Sequence, residues 1–173
     1  MRWRDLLGKS RTQLAHSATP AAGGYSFRAG ARWMAGQLSV LRQLPPDSHW
    51  HEGQAYNRYG CLKYGLSTAG FGLVAGALPC WIGLPLAVLA FYVLEVHFLF
   101  LFPLLIDGVP QPMQASIRMT YRLGLRRAVA NTLPIGLYML AGLGNRPDPL
   151  RRWHEGCLAV LIWYEEERAI HFT

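Results

Sequence analysis

The residues with the clearest potential for chemistry are Glu95 and His97, because both lie within a long apolar stretch of the 173-residue chain. Ionisable side chains in such a setting are costly and usually face protein or water. They are typical of a metal or cofactor ligand, or of a proton relay. Residues two apart on a helix point in nearly opposite directions, so this pair needs partners from elsewhere to form one site. The alternative is structural: Glu95 stays protonated or pairs with a neighbouring subunit, and His97 bonds a carbonyl or stays a buried neutral imidazole.

The tetrapeptide Trp-His-Glu-Gly occurs twice, at 50–53 and at 153–156. Two histidines and two glutamates would suit a metal ion, but adjacent residues do not share a helix face. The chain also lacks the spacing by which zinc hydrolases place two ligands on one side of a helix. We therefore expect a coincidental repeat whose tryptophans serve as interfacial anchors.

The three cysteines, Cys61, Cys80 and Cys157, are far apart and lack the spacing of a zinc, haem or iron–sulfur site. We expect buried or free thiols. The sequence contains no phosphate-binding glycine loop and no serine-nucleophile motif. It therefore predicts no catalytic, cofactor-binding or metal-binding residues, no cofactor, and a protein that is not an enzyme.

The composition of the chain indicates the fold class in which these candidate residues lie. Half of the chain is apolar (51%) and 16% is charged, against about 25% charged in average soluble proteins. Disorder is excluded, because it requires low hydrophobicity and high charge. From Tyr64 to Leu94 there is no Asp, Glu, Lys or Arg. This uneven distribution predicts an all-α membrane protein.

The central apolar tract, residues 66–106, contains one formal charge, Glu95. As a straight helix it would be about 60 Å long, twice the thickness of a hydrocarbon core of about 30 Å. Two prolines and a glycine lie at its middle, in residues 79–85, and proline interrupts helices. We therefore predict a transmembrane helical hairpin with helices at about 64–80 and 85–106, and a hairpin region of 64–108.

Basic residues flank this hairpin on both sides. Arg58 and Lys63 precede it, and a row of arginines follows it: Arg118, Arg122, Arg126 and Arg127. By the positive-inside rule, both ends of the hairpin lie on the matrix or cytoplasmic side. A juxtamembrane row with this spacing indicates contact with anionic lipid headgroups, cardiolipin included. The alternative is ordinary positive-inside flanking.

Thr68, Gly72 and Gly76 form a stripe of small residues four apart. Small residues let two membrane helices approach closely. We expect this stripe to pack against the second helix of the hairpin or against another protein.

The region 109–173 is expected to hold a juxtamembrane basic helix, a third apolar segment and a C-terminal amphipathic helix. The third segment, about 128–145, is uncharged, marginal in length and interrupted by Pro134. Because it has arginines at both ends, it either spans the membrane or lies re-entrant against the hairpin. The last helix, about 149–170, has an apolar core too short to cross, so we expect it to be interfacial or docked.

The N-terminal arm, residues 1–46, is strongly basic. It holds seven of the 17 basic side chains and one of the ten acidic ones, and so carries +6 of the formal charge of +7. No nucleic-acid-binding pattern accompanies this charge, so nucleic acid is not an expected partner. The arginine-rich, acid-poor composition resembles a mitochondrial presequence, which we expect to be retained. The alternative is the basic cytoplasmic arm of a bacterial protein.

Two amphipathic pieces are predicted within this arm, one ending at about His16 and one at about 27–44. They carry too little apolar surface for a core of their own, so their apolar faces need a membrane or a partner. The connecting segment, 47–63, is predicted to contain a short helix that begins near Trp50.

Two functions fit these features. The first is a non-catalytic accessory subunit of a large mitochondrial inner-membrane complex, of the respiratory chain or ATP synthase, which braces neighbouring helices and lipid. Its partners would be other subunits and anionic lipids. The second is a small membrane-embedded enzyme or pigment-binding protein that uses Glu95 and His97. An assembly factor has the same sequence features as the first.

Overall fold

The structure is a computed structural model of the chain. It describes residues 2–16, 26–45, 48, 50–51, 53–144 and 150–171. The described part folds into eight helices and contains no strand, so the all-α prediction is confirmed there. The helices are α1 (Trp3–His16), α2 (Phe27–Leu41), α3 (Tyr56–Ala77), α4 (Cys80–His97), α5 (Leu101–Ile106), α6 (Pro112–Leu123), α7 (Leu125–Leu143) and α8 (Arg151–His171).

The two predicted amphipathic pieces of the arm correspond to α1 and α2. The side chain of Ser26 caps α2 by accepting a hydrogen bond of 3.1 Å from the backbone N–H of Ala29. Helix α1 packs on α8 and α7, with Leu6 and Leu7 buried, and α2 packs on α8, α3 and α5, with Leu38 buried. The chain's own helices therefore cover the apolar faces for which an external partner was expected.

Helices α3 and α4 follow each other directly and pack together. The chain turns at Leu78, which is extended (φ −126°, ψ 155°) because the residue before a proline is pushed out of the helical region. The turn is thus earlier than predicted, and Pro85 lies inside α4. The short helix expected near Trp50 is not seen in the described residues: Trp50, His51 and residues 53–55 are non-helical, and α3 begins at Tyr56.

The second helix of the predicted hairpin is interrupted before its end. Residues 98–100 form turns, and α5 follows. Pro103 has no N–H to offer the carbonyl of Leu99, which favours a break at this point. Ser116 of α6 occupies the gap: its hydroxyl donates to the carbonyl of His97 (3.0 Å) and accepts from the N–H of Phe100 (3.2 Å).

The core contains most of residues 98–106 and of the central part of α8, together with buried residues of α1, α2 and α6. Every residue of α5 is buried. Phe100 contacts Trp163 and Tyr164 of α8 through ring centroids 5.5 and 6.0 Å apart. Helix α8 is therefore docked on other helices of the chain. Docking was one of the two arrangements predicted for this helix, and an interfacial position was the other.

Candidate functional site

Glu95 forms an ion pair with Lys63 across the α3–α4 interface, with Nζ and Oε2 3.0 Å apart. The hydroxyl of Ser67 donates a further hydrogen bond to Glu95, at 3.2 Å. Both charged side chains are largely buried, at 8% exposure for Lys63 and 16% for Glu95. Glu95 is therefore partnered within its own chain rather than by a neighbouring subunit. The pair holds the two helices together at this level.

His97 faces a different helix from Glu95. Its Nδ1 lies in hydrogen-bond contact with the carbonyl of Val93, and its Nε2 is 3.2 Å from the hydroxyl of Tyr121 on α6. The two side chains thus point to separate neighbours, as two residues two apart on a helix must.

The two Trp-His-Glu-Gly copies lie in unrelated surroundings. Trp50 stacks on Tyr56, with ring centroids 5.0 Å apart, whereas His154 contacts the ring of Trp33 at 4.8 Å. Glu52 lies outside the described residues. In the part of the chain that the structure describes, no three His, Cys, Asp or Glu side chains are close enough to hold a metal ion. The geometry does not bring Glu95, His97, His51 and His154 into one site.

Glu155, from the second copy, is buried (4% exposed) and joins three helices. It accepts a short hydrogen bond from the hydroxyl of Tyr138 on α7. It also pairs with Arg11 of α1, at 3.4 Å, and with Arg151 of α8, at 3.2 Å. This carboxylate links α1 to the rest of the molecule.

A second charged cluster, which the sequence analysis missed, joins α2, α5 and α8. Arg42 donates two hydrogen bonds to Asp107, of 2.7 and 2.9 Å, and a third, short one to Glu165. The hydroxyl of Tyr164 donates to Asp107 at 2.7 Å, and Arg168 is 3.7 Å from the same carboxylate. These partners are 57 to 123 residues apart in sequence, so no local pattern could reveal the cluster.

Burial and neighbouring charges act in opposite directions on Asp107. Burial favours a higher pKa, but the hydrogen bonds from Arg42 and Tyr164 outweigh it and hold the pKa of Asp107 below its ordinary value. Burial and the carboxylate of Asp107 together raise the pKa of Tyr164, so its hydroxyl stays protonated and donates. Each carboxylate oxygen of Asp107 accepts a hydrogen bond from Arg42. This bidentate pairing is typical of a group that holds helices together, which we call the clamp, rather than of a reactive centre.

The arginine row lies on α6 and at the start of α7. All four members, Arg118, Arg122, Arg126 and Arg127, are exposed. Arg127 pairs with Glu167 at 3.1 Å. The other three make no ion pair with any described residue, so their charges face outward.

The α3–α4 pair exposes large apolar side chains from Leu66 on α3, through the Leu78 turn, to Val93 on α4. We call this surface the apolar end, and it comprises Leu66, Leu73, Leu78, Trp81, Leu84, Leu86, Val88, Leu89 and Val93. Trp81, beside the turn, is 78% exposed, and Leu73 is 74% exposed. Beyond Val93 the apolar side chains of the tract are no longer exposed, and residues 100–106 are buried in the core. Among the described residues, one stretch is long and apolar enough to cross a membrane: Cys80–Ile106, which comprises α4, the turns at 98–100 and α5.

The small-residue stripe does not face α4. A Cβ placed on Gly72 or Gly76 would meet no atom within 4 Å, and Thr68 is exposed. Gly70 makes the close approach instead, since its Cβ would lie 2.8 Å from Leu94. The close contact of α3 with α4 is therefore made at Gly70 rather than at the stripe.

The cysteines are free thiols, with Cys61 and Cys80 exposed and Cys157 partly buried. No protein-family model, curated protein or solved structure matches the chain.

Proposed function

We propose that this chain is a non-catalytic accessory subunit of a multi-protein membrane complex, anchored by a hairpin of α3 and α4. The observation that carries the proposal is the apolar end. Contiguous apolar surfaces of this kind are rare on soluble monomers and mark contacts with membranes or proteins. The chain carries no formal charge from Tyr64 to Leu94, so this surface suits a hydrocarbon environment.

The dimensions of the hairpin come close to those of a full crossing. At 1.5 Å per residue, the distance along α4 from Trp81 to His97 is about 24 Å, and that along α3 from Lys63 to Leu78 is about 22 Å. A hydrocarbon core is about 30 Å thick. With the arginines at one boundary, Trp81 would reach the other, where tryptophan is enriched. In this arrangement both ends of the hairpin stay on the matrix or cytoplasmic side.

The third apolar segment, α7, is proposed to lie against the hairpin rather than to cross by itself. Near its C-terminal end, the ring of Tyr138 has the guanidinium groups of Arg11 and Arg152 within 5.1 and 5.3 Å. The buried carboxylate of Glu155 bonds its hydroxyl. Three formal charges around the segment are costly within hydrocarbon, which supports a docked position.

A bracing role is supported by surfaces that the described helices do not cover. The stripe of Thr68, Gly72 and Gly76 lies on α3, and its glycines contact no other helix among the described residues. Small residues at this spacing admit a neighbouring helix of another subunit. The outward-facing arginines would contact anionic lipid headgroups at the same boundary.

We place the complex in the mitochondrial inner membrane, in the respiratory chain or ATP synthase, with the bacterial inner membrane as the alternative. The support for this location is the arginine-rich, acid-poor composition of residues 1–46.

The proposal is tested by native gel electrophoresis of membranes solubilised in mild detergent, with mass spectrometry of the co-migrating band. We expect the chain in a band of much higher mass than its own 19.4 kDa, together with other subunits. Migration alone, with a bound metal or pigment, would overturn the proposal in favour of a small membrane enzyme.

A further inference from the structure

An exposed apolar strip on α4 leads directly to two of the outward-facing arginines. Leu86, Leu89 and Val93 are 42 to 52% exposed, and their spacing of three and four residues places them on one face of α4. His97 continues this face by one further turn. The strip from Leu86 to His97 is about 16 Å long, close to half of a hydrocarbon core.

Helix α6 meets the end of this strip with polar and basic groups. The ring of His97 contacts that of Tyr121, with centroids 5.5 Å apart, and Tyr121 is 57% exposed. Arg118 precedes Tyr121 by three residues on the same face, and Arg122 is its neighbour. The hydroxyl of Thr120 donates to the carbonyl of Val96, which fixes this part of α6 at the level of the end of α4. Neither arginine makes an ion pair with a described residue.

From this juxtaposition we infer that the corner of α4 and α6 binds one anionic phospholipid. The acyl chain lies along Leu86, Leu89 and Val93, and the phosphate is bound by Arg118 and Arg122. The inference rests on the proposed membrane attachment and identifies a partner for the arginine row. A lipid fits better than a protein segment, because the surface changes from apolar to basic over the length of one acyl chain.

The guanidinium groups suit phosphate oxygens, since arginine presents several donors in a fixed planar geometry. A basic side chain near an anionic membrane surface strengthens attraction by about fivefold in binding constant. Two such side chains are therefore expected to favour an anionic lipid over a zwitterionic one by roughly 25-fold.

The test measures lipid adducts of the full chain in mild detergent by native mass spectrometry. The probes are phosphatidylglycerol, cardiolipin, phosphatidylcholine and inorganic phosphate alone. We expect adducts with the two anionic lipids, weak adducts with phosphatidylcholine, and none with inorganic phosphate at the same concentration. The Arg118→Gln/Arg122→Gln variant should lose about 25-fold in affinity for the anionic lipids.

Two further variants separate the two parts of the site. Arg2→Gln/Arg4→Gln removes the same charge from two exposed positions at the N-terminal end of α1 and should bind the anionic lipids as the unmodified chain does. Leu89→Gln/Val93→Gln should weaken lipid binding without any gain of phosphate binding. Unchanged lipid binding by the Arg118/Arg122 variant, or an equal loss in the α1 control, would overturn the inference. So would phosphate binding as tight as lipid binding. None of these results affects co-migration with a complex, so a failure here is distinguishable from a failure of the proposed function.

Discussion

The charged residues show that a side chain's partner, more than its type, decides its role. Glu95 is the single acid within the apolar tract, and Lys63 of the same chain neutralises it. Arg42 belongs to the basic arm by sequence, yet it is nearly buried, at 9% exposure, between Asp107 and Glu165. Removing one member of such a buried group is costly, because the remaining charges lose their compensation.

The Asp107 cluster predicts how stability changes in acid. Because the pKa of folded Asp107 lies below its ordinary value, the folded chain holds this proton less readily than the unfolded chain. The stabilisation is therefore complete above about pH 4 and is lost as the pH falls through the folded pKa. Asp107→Asn is expected to cost on the order of 3 kcal/mol at neutral pH and to reduce the loss in acid.

The measurement is chemical denaturation of the full chain in mild detergent from neutral to acidic pH. Asp5→Asn, which changes an exposed aspartate on α1, is the matched control and should leave the curve unchanged. An Asp107→Asn variant with the unmodified chain's stability at neutral pH would contradict the proposed clamp.

At the scale of elements, the helices meet at glycines that the sequence did not single out. A Cβ on Gly60 of α3 would lie 2.3 Å from the ring of Phe27 on α2. That ring cannot move aside easily, because it stacks between Tyr64 and Phe102, with centroids 5.4 and 6.2 Å away. The glycines at regular spacing, Gly72 and Gly76, face open space instead.

This contrast predicts opposite effects for one substitution at two positions of α3. Gly60→Ala should lower the free energy of unfolding by about 1 to 3 kcal/mol, because the added methyl group overpacks a filled site. Gly72→Ala should raise it by up to about 1 kcal/mol through helix propensity. Thermal unfolding of both variants in mild detergent compares them directly. Equal effects of the two substitutions would mean that α2 and α3 do not meet at Gly60.

At the scale of the whole molecule, the chain divides into a packed helical body and an exposed apolar end. The division falls within the apolar tract itself: residues 100–106 are core, while Trp81, Leu84 and Leu89 are exposed. The body holds the charged clusters that join α1, α2 and α8 to the rest. If the apolar end enters a membrane as proposed, most of the mass lies on one side of it.

Two native cysteines make this topology testable. Cys80 lies beside the turn between α3 and α4, whereas Cys61 lies on α3 near the opposite end of the pair, and both are exposed. In lipid vesicles, an impermeant maleimide outside should label Cys61 in a Cys80→Ser/Cys157→Ala variant. In a Cys61→Ser/Cys157→Ala variant, the same reagent trapped in the vesicle lumen should label Cys80. The reason is that a full crossing places the Leu78 turn, and Cys80 beside it, on the lumenal side.

The reverse results each have a definite meaning. Protection of Cys80 from both sides until detergent is added would show that the hairpin enters without crossing. Labelling of Cys80 from outside, at the rate seen without vesicles, would show that the apolar end does not enter lipid at all. Circular dichroism of each variant checks that the fold is intact.

The local pattern of residues was enough to predict an all-helical chain, the C-terminal end of α1 near His16 and the start of α2 at Phe27, whereas α2 ends at Leu41, three residues before the predicted end. Helical periodicity, capping and proline breaks act within a few residues, so they can be predicted from sequence. Only the tertiary structure decided which apolar residues form the core and which stay exposed, because Leu84 and Leu104 are the same residue type in one continuous tract. It also decided the partners of Glu95 and Arg42, since the contacting groups are distant in sequence and meet through packing alone.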